Sequence, residues 1–170
     1  MKFAIGLMVC MVGLSACNLD FGGTSGGGGG SSVQFDETGV VTRVIDGDTI
    51  DVDINGETFR VRYVGINTPE RDEVCYQSAV DANAALVQNQ IVGLVRDSSE
   101  TDQYGRLLRY IYVGDVFVNE ELVRDGFAEA VKYGSDDREW ANFVDLEQVA
   151  ADGRFGCHAS GIFDDGSDTR

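Results

Sequence analysis

The segment that decides the fold runs from Gly39 to Ile66 and reads GVVTRVIDGDTIDVDINGETFRVRYVGI. Its first part, Gly39–Ile45, is rich in Val and Thr, which favour strands, and it ends at an Asp-Gly turn signal. Thr49–Ile54 alternates apolar and polar residues, as a strand with one buried face does. Asn55-Gly56 is the strongest short hairpin signal in the chain, and Glu57–Ile66 continues as a third strand. The segment therefore predicts a three-stranded meander.

Helices and further strands are predicted after the meander, which ends at Pro69. Two runs rich in branched and aromatic residues predict a fourth strand at Ile91–Arg96 and a fifth at Arg106–Val113. The spacing of apolar residues and glycine stop signals predict three helices. The first follows Glu73, where Ala79, Ala82, Leu86 and Val87 recur at helical spacing, and the others lie at Val118–Arg124 and Asp137–Ala151. Five short strands with about three packed helices predict an α+β domain built on a small closed barrel of the OB type.

The first 34 residues are expected to lie outside this domain. Lys2 precedes an apolar run that is followed by small residues, which predicts a secretory signal peptide at residues 1–16. Leu14-Ser15-Ala16-Cys17 resembles a bacterial lipobox, which implies cleavage before Cys17 and lipid attachment to its sulfur. The alternative is a signal peptide with an incidental cysteine. Residues 17–34 are rich in Gly and Ser and predict a flexible tether; residues 35–165 would form the folded domain and 166–170 a tail.

Cysteine positions predict one disulfide in the folded domain. Of the four cysteines, Cys10 belongs to the predicted signal peptide and Cys17 to the lipobox, so Cys75 and Cys157 remain. Outside the cytoplasm such a pair is expected to form a disulfide. It would close a loop of about eighty residues, worth roughly 4 kcal/mol in the chain-entropy model. Two cysteines and His158 are too few ligands for a structural zinc site.

The formal net charge of −16 works against a polyanionic substrate, since non-specific nucleic-acid binding normally rests on basic patches. Thirteen residues are basic, and only Lys2 and Lys132 among them are lysines, so eleven are arginines. Arginine is the better residue for bidentate phosphate contacts. An acidic surface with scarce lysine is typical of proteins that work in high salt, and it also provides simple colloidal solubility. Both interpretations of the charge stay open.

Polar residues within the meander and directly after it indicate chemistry at a phosphate group. An oxygen ligand such as Asp48 suits a divalent cation, Arg62 suits a phosphate oxygen, and Glu70 suits the activation of water. Attack on a phosphodiester builds negative charge on its equatorial oxygens, which a cation and guanidinium groups stabilise. The combination predicts metal-assisted phosphodiester hydrolysis. Arg60 faces the same side of its strand and is an alternative to Arg62, although the spacing to Glu70 favours Arg62.

Four motifs in order carry a family resemblance: Ile45-Asp46-Gly47-Asp48-Thr49, Arg62 with Asn67-Thr68-Pro69-Glu70, Thr101-Asp102-Gln103-Tyr104-Gly105-Arg106, and Val118-Asn119-Glu120-Glu121-Leu122-Val123. Together they resemble the successive motifs of the staphylococcal nuclease (thermonuclease) family, over roughly Val41 to Phe163. The resemblance implies an OB-fold barrel with packed helices. It also implies Ca²⁺-dependent endonuclease cleavage of DNA and RNA at the P–O5′ bond, which leaves 3′-phosphates.

The resemblance implies a calcium site on the first two motifs. Asp48 matches a direct ligand, Thr68 a ligand through its backbone carbonyl, and Asp46 an outer-shell partner through water. Asn67 stands where better-studied members place an aspartate on the calcium. An asparagine can still bind through its carbonyl oxygen but carries no charge, so weaker calcium binding is expected.

The resemblance also implies catalytic and substrate-binding residues. Glu70 matches the carboxylate that orients or deprotonates the attacking water, and Arg62 and Arg106 match the two arginines that grip the scissile phosphate. Tyr104 matches a tyrosine of the nucleotide pocket, and Tyr133 is placed near a second one. Gln103 replaces a lysine that contacts the terminal phosphate in well-studied members, which predicts lower nucleotide affinity.

Two functional hypotheses follow. The first is a monomeric nuclease that acts on nucleic acid and is attached to a membrane by its N-terminal lipid, outside the cytoplasm, on the periplasmic face or the cell surface. The second is a catalytically weak or silent member of the family that serves as a binding or structural module of the envelope. Retention of Arg62, Glu70 and Arg106 favours the enzyme, whereas Asn67 and the acidic charge favour the module.

Overall fold

The structure is a computed structural model that describes residues 33–164. The predicted signal peptide, Cys17, residues 17–32 of the predicted tether and the predicted tail at 166–170 lie outside the described residues. None of the helices between residues 33 and 164 has the length and apolar character needed to cross a membrane.

Eight strands and three α-helices follow one another along the described chain. They are β1 (Glu37–Val44), β2 (Thr49–Ile54), β3 (Glu57–Tyr63), β4 (Ile66–Asn67), α1 (Tyr76–Val87), β5 (Ile91–Val95), β6 (Leu107–Val113), β7 (Val116–Phe117), α2 (Val118–Arg124), β8 (Glu129–Ala130) and α3 (Trp140–Gly153). A 3₁₀-helix, Gly156–Ser160, follows α3.

Five of the strands form a closed barrel. Strand β1 pairs antiparallel with β2 and with β5, β2 pairs with β3, and β5 pairs with β6. A parallel pairing of β3 with β6 closes the circle, through Val61 opposite Leu107 and Tyr63 opposite Arg109. We call this pairing the closing seam. The α+β fold predicted from the sequence, a five-stranded OB-type barrel with three helices, is confirmed.

The hairpin between β2 and β3 shows why the local sequence predicts the barrel so directly. Asn55 has a φ of 56° and Gly56 a φ of 88°, so both central residues of the turn lie in the left-handed region that Asn and Gly tolerate best. This turn twists in the same sense as its strands, which keeps β2 and β3 in register from Ile54 opposite Glu57 to Thr49 opposite Arg62.

The predicted third strand is too long. It ends at Tyr63 and not at Ile66, because the chain turns at Gly65, whose φ is 78°. Ile66–Asn67 then forms β4, which pairs antiparallel with β8 in a separate two-stranded sheet that the sequence did not predict.

The other element boundaries agree with the prediction to within three residues, and β2 and α2 match it at both ends. The last helix begins at Trp140 and not at Asp137, because the residues before it form a turn in which the Trp140 N–H donates to the Asp137 carbonyl. The strands predicted at Gly39–Ile45, Ile91–Arg96 and Arg106–Val113 are observed as β1, β5 and β6. Such shifts are expected where helix and strand ends fray.

The barrel interior and the layer beneath the helices form one hydrophobic core. The barrel contributes fully buried side chains, which are Val41, Ile50, Val52, Val61, Leu94 and Ile111. Phe143 of α3 packs against Phe117 and Tyr110, with ring centroids 5.7 and 6.3 Å apart, and so joins the helical layer to the barrel.

Cys75 and Cys157 form a disulfide, as the sequence predicted. Their Cα atoms are 5.6 Å apart and their positions in the chain are 82 residues apart. The bond joins the residue that precedes α1 to the 3₁₀-helix that follows α3. It therefore ties the C-terminal part of the domain to the start of α1.

Candidate active site

A cleft of about 770 Å³ lies beside the closing seam and collects most of the residues that the sequence singled out. Eight of them line it, namely Asp46, Asp48, Arg62, Asn67, Glu70, Tyr104, Arg106 and Tyr133. Thr68 does not line the cleft, but it contacts Asp48 directly. Residues far apart in the sequence thus share one surface.

The turn between β1 and β2 places two carboxylates at the cleft. The Asp48 backbone N–H donates to Asp46 Oδ1 at 3.2 Å, and the Ile45 N–H donates to the Thr49 carbonyl at 2.9 Å. Gly47 lies between them, where a Cβ atom would come within 2.6 Å of Thr68 Oγ1. Close packing against Thr68 therefore favours glycine at position 47.

Asp48 is held rigidly and is only 5% exposed. Its Oδ2 accepts hydrogen bonds from the Thr68 backbone N–H at 2.9 Å and from Thr68 Oγ1 at 3.0 Å. Its Oδ1 accepts one from Thr49 Oγ1 at 3.1 Å, and Arg62 Nη2 lies 3.1 Å from Oδ2. The carboxylate therefore points in one direction before any ligand arrives.

Asp46 has an electrostatic environment that favours a cation. Burial, followed by repulsion from Asp48, raises the pKa of Asp46 to about 6. The side chain of Asn83, fully buried on α1, fixes this turn by donating to the Asp46 carbonyl at 2.9 Å. Sequence reasoning missed Asn83, since an asparagine in the middle of a predicted helix looks like a solvent-facing residue.

Arg62 is the most strongly positioned cation of the cleft. Its Nη1 donates to the backbone carbonyls of Tyr63 and Ile66 at 2.9 and 2.8 Å, and its Nη2 donates to Asn67 Oδ1 at 3.1 Å. Its side chain is 11% exposed. The carbonyl and amide oxygens are neutral, so these contacts orient the guanidinium group without cancelling its charge. Within the described part of the chain, its one salt-bridge partner is Asp48.

Glu129 is a buried carboxylate that sequence reasoning did not identify. It lies on β8, is 2% exposed, and its Oε1 accepts a hydrogen bond from Asn67 Nδ2 at 3.0 Å. This contact fixes the Asn67 amide so that Oδ1 faces Arg62. The carboxyl group expected at position 67 is therefore present one contact away, on Glu129. The contact between Asn67 and Glu129 follows from the long-range pairing of β4 with β8, which the sequence did not predict.

Arg106 and Tyr104 are presented by a tight loop before β6. Asp102 Oδ1 accepts hydrogen bonds from the backbone N–H groups of Tyr104 and Arg106, both at 2.9 Å, and Oδ2 accepts one from Arg106 Nε at 2.6 Å. Burial acts to raise the pKa of Asp102, but these hydrogen bonds outweigh burial and lower it. The Tyr104 ring is 75% exposed, with the Arg106 guanidinium 5.6 Å from its centroid.

Glu70 lies at the exposed rim of the cleft, directly after Pro69. Its backbone N–H donates to Glu73 Oε2 at 2.7 Å, and its carbonyl accepts from the Glu73 N–H at 2.8 Å. Its own carboxylate accepts no hydrogen bond from any residue of the described chain, so both oxygens are available to water. Tyr133 also lines the cleft with 43% exposure, and burial raises its pKa.

Arg60 does not reach the cleft. Its Nε donates to Asp51 Oδ1 at 2.9 Å on the outer surface of the barrel. Arg62 is therefore the arginine of β3 that the structure places beside Asp48, as the spacing to Glu70 indicated.

Residues 33–164 contain no group of three or more His, Cys, Asp or Glu side chains arranged to hold a metal ion. A cation at Asp46 and Asp48 would rely on these two carboxylates together with neutral oxygens such as Asn67 Oδ1 and with water. Calcium accepts such mixed oxygen sets. The chemistry of the donors, which are carboxylate and amide oxygens, fits a hard divalent cation.

Comparison with known proteins agrees with the motifs. Residues 60–159 match the family model described as staphylococcal nuclease homologue. A thermonuclease of Staphylococcus hyicus is 34% identical over 140 residues, which cover 78% of this chain and 83% of that protein. A thermonuclease of Staphylococcus intermedius is 37% identical over 108 residues, or 60% of this chain and 64% of that protein. A micrococcal nuclease of Shigella flexneri is 35% identical over 107 residues, with 58% and 60% covered. The chain belongs to the staphylococcal nuclease family.

Proposed function

We propose that this domain is a hydrolase that cleaves phosphodiester bonds within nucleic-acid chains. The observation that carries the proposal is the convergence of a carboxylate pair, two arginines and a water-facing glutamate on one cleft. The relatives named thermonuclease and micrococcal nuclease support the same class of reaction.

Arg62 and Arg106 bind the scissile phosphate in this proposal. They line the cleft, and Arg62 is held by backbone carbonyls in a fixed orientation. Arginine suits this role because it stays charged and donates to two oxygens at once. As the phosphorus accepts the nucleophile, the two guanidinium groups stabilise the added negative charge, an effect of about 10²–10³ in rate for each such donor.

Glu70 orients the attacking water and receives its proton. Its carboxylate faces solvent at the cleft rim and is not engaged by other described side chains. Water held there attacks the phosphorus opposite the leaving 5′-oxygen. Cleavage of the P–O5′ bond leaves a 3′-phosphate and a 5′-hydroxyl, whose oxygen takes its proton from solvent. A carboxylate is a weak base toward water, so most of its contribution lies in positioning the water molecule.

Calcium is the cofactor that we propose for the carboxylate pair. Asp48 would bind it directly, Asp46 through water, and Asn67 and the Thr68 carbonyl would complete the protein ligands. When bound, the ion supplies positive charge for the phosphate oxygens and lowers the pKa of nearby water. Because Asn67 is neutral, we expect weaker calcium binding than an aspartate would give.

We further propose that the enzyme works outside the cytoplasm as a lipid-anchored monomer. The signal-like residues 1–16 and the lipobox at Cys17 support this location, and so does the disulfide between Cys75 and Cys157, a bond that persists in oxidising compartments. Nucleic acid would then reach the cleft from the surroundings of the cell.

A nuclease assay with matched variants tests the proposal. Single-stranded DNA and RNA are incubated with the protein in calcium or in chelator, and product ends are identified. Glu70→Gln and Arg62→Ala are expected to lose at least a hundredfold in kcat, whereas Glu57→Gln, an exposed glutamate in the β2–β3 hairpin, keeps full activity. Equal inactivity of the wild type and all variants in every condition would contradict the nuclease proposal and leave the alternative of a catalytically silent module, which Asn67 and the acidic charge favour.

A further inference from the structure

A row of three charged residues crosses the outer surface of the barrel beside the cleft. Arg43 on β1 is opposite Asp51 on β2, and Asp51 is opposite Arg60 on β3. Side chains opposite each other on neighbouring strands point to the same face of a sheet. We call these three residues the arginine row.

The arginine row has an excess of positive charge in an otherwise acidic protein. Asp51 accepts from Nε and Nη2 of Arg43 at 3.1 and 2.9 Å, and from Nε and Nη2 of Arg60 at 2.9 and 3.3 Å. Two guanidinium groups on one carboxylate leave a net charge of +1. In residues 33–164, every other salt-bridge cluster has at least as many carboxylates as cations.

A shallow groove connects the arginine row to the cleft. It has a volume of about 440 Å³ and is lined by Asp51, Thr58, Arg60, Tyr104, Gly105 and Arg106. Tyr104 and Arg106 also line the cleft, so the two depressions share a wall. A chain molecule bound in the cleft can continue into the groove without leaving the surface.

The chemistry of the groove suits a nucleic-acid backbone with an unpaired base. The exposed guanidinium of Arg60 can replace part of its contact with Asp51 by one with a phosphate, since Arg43 continues to neutralise that carboxylate. Arg60 and Arg62 lie two residues apart on β3, so their side chains leave the same face of that strand, from backbone positions about 6.6 Å apart along its axis. The exposed ring of Tyr104 offers a stacking surface for a base between them.

We propose that Arg60 is a further substrate-binding residue, which contacts the phosphate next to the scissile one when a polynucleotide chain continues from the cleft into the groove. This proposal rests on the proposed nuclease function. The groove would give a protein of net charge −16 a local, phosphate-specific contact in place of a broad basic patch.

The test compares substrates with and without a neighbouring phosphate. Arg60→Ala is expected to lower kcat/KM for a single-stranded oligonucleotide by about tenfold, the effect of one charge-assisted contact, and to leave a dinucleotide with one phosphodiester unchanged. Arg60→Lys keeps the charge and restores most of the loss. Arg124→Ala, which removes an exposed arginine paired with Glu120 and Glu121 on α2, leaves both substrates unchanged.

A binding measurement in chelator separates this proposal from the nuclease function. Fluorescence anisotropy with the oligonucleotide over a salt series should show that Arg60→Ala reduces the slope of log K against log salt by about 0.7, as the loss of one phosphate contact does. A reduced slope supports the groove even for a protein that cleaves nothing. An unchanged slope, or an equal loss of kcat/KM for dinucleotide and oligonucleotide, overturns the proposal.

Discussion

The buried contact between Asn67 and Glu129 predicts that restoring an aspartate at position 67 destabilises this protein. In the structure Asn67 Nδ2 donates to Glu129 Oε1 at 3.0 Å, with both residues at most 5% exposed. The substitution Asn67→Asp replaces this donor by an oxygen and places two carboxylates against each other. Arg62 Nη2, which contacts Asn67 Oδ1 at 3.1 Å, would compensate only in part.

The magnitude follows from the contacts. Two like charges about 4 Å apart repel by about 4 kcal/mol at an effective dielectric constant of about 20. The lost hydrogen bond adds about 1 kcal/mol, and the new contact with Arg62 returns about 2 kcal/mol. We therefore expect Asn67→Asp to lower the free energy of unfolding by about 3 kcal/mol at neutral pH. The loss should shrink on acidification, when a proton shared by the two carboxylates removes the repulsion.

Urea denaturation in chelator, followed through the single tryptophan Trp140, measures this effect without any metal. The double variant Asn67→Asp with Glu129→Gln is the matched control, because its new amide can donate to the new carboxylate and should restore stability to within about 1 kcal/mol of the wild type. The reasoning is refuted if Asn67→Asp is as stable as the wild type, or if the double variant is no more stable than Asn67→Asp alone.

Three further predictions concern parts of the fold that support the site. Reduction of the disulfide between Cys75 and Cys157 should lower the free energy of unfolding by about 4 kcal/mol, because it closes a loop of 82 residues; a double serine variant that loses much less contradicts this. Gly47→Ala should cost about 1–3 kcal/mol and displace Thr68, whose Oγ1 would lie 2.6 Å from the new Cβ; a thermal melt unchanged from the wild type would exclude this packing argument. Burial lowers the pKa of His158 from 6.5, so the unfolded chain binds the proton more readily and stability should fall as the pH drops below 6.5; His158→Phe should remove that dependence in urea titrations, and its persistence would assign it to another group.

The fold was predictable where local rules act alone. The Asn55-Gly56 turn requires positive φ at both positions, and few residues accept this, so hairpin and register followed from the sequence. The two-stranded sheet of β4 and β8 was not predictable, because strands of two residues carry no periodicity and their pairing joins distant parts of the chain.

The candidate site likewise contains residues that local sequence signals predict and residues that only the fold reveals. Asp48, Arg62 and Glu70 follow strong turn and strand signals, and the cleft brings them together. Glu129 and Asn83 support the cleft from elements whose packing only the three-dimensional fold reveals. The arginine row was also not predictable, because a shift of one residue in the pairing of β1 with β2 would turn Arg43 away from Asp51.

The closing seam has a consequence for how this protein folds. Arg62 enters the cleft from β3 and Arg106 from the loop before β6, and the three residue pairs of the seam bring these strands together. A folding intermediate with a complete meander and an unpaired β6 would possess every residue of the carboxylate turn and still have no cleft. Such long-range parallel pairing forms slowly. The recovery of substrate binding during refolding therefore measures the fraction of molecules whose barrel has closed. We expect this recovery to be slower than any spectroscopic signal from the β2–β3 hairpin.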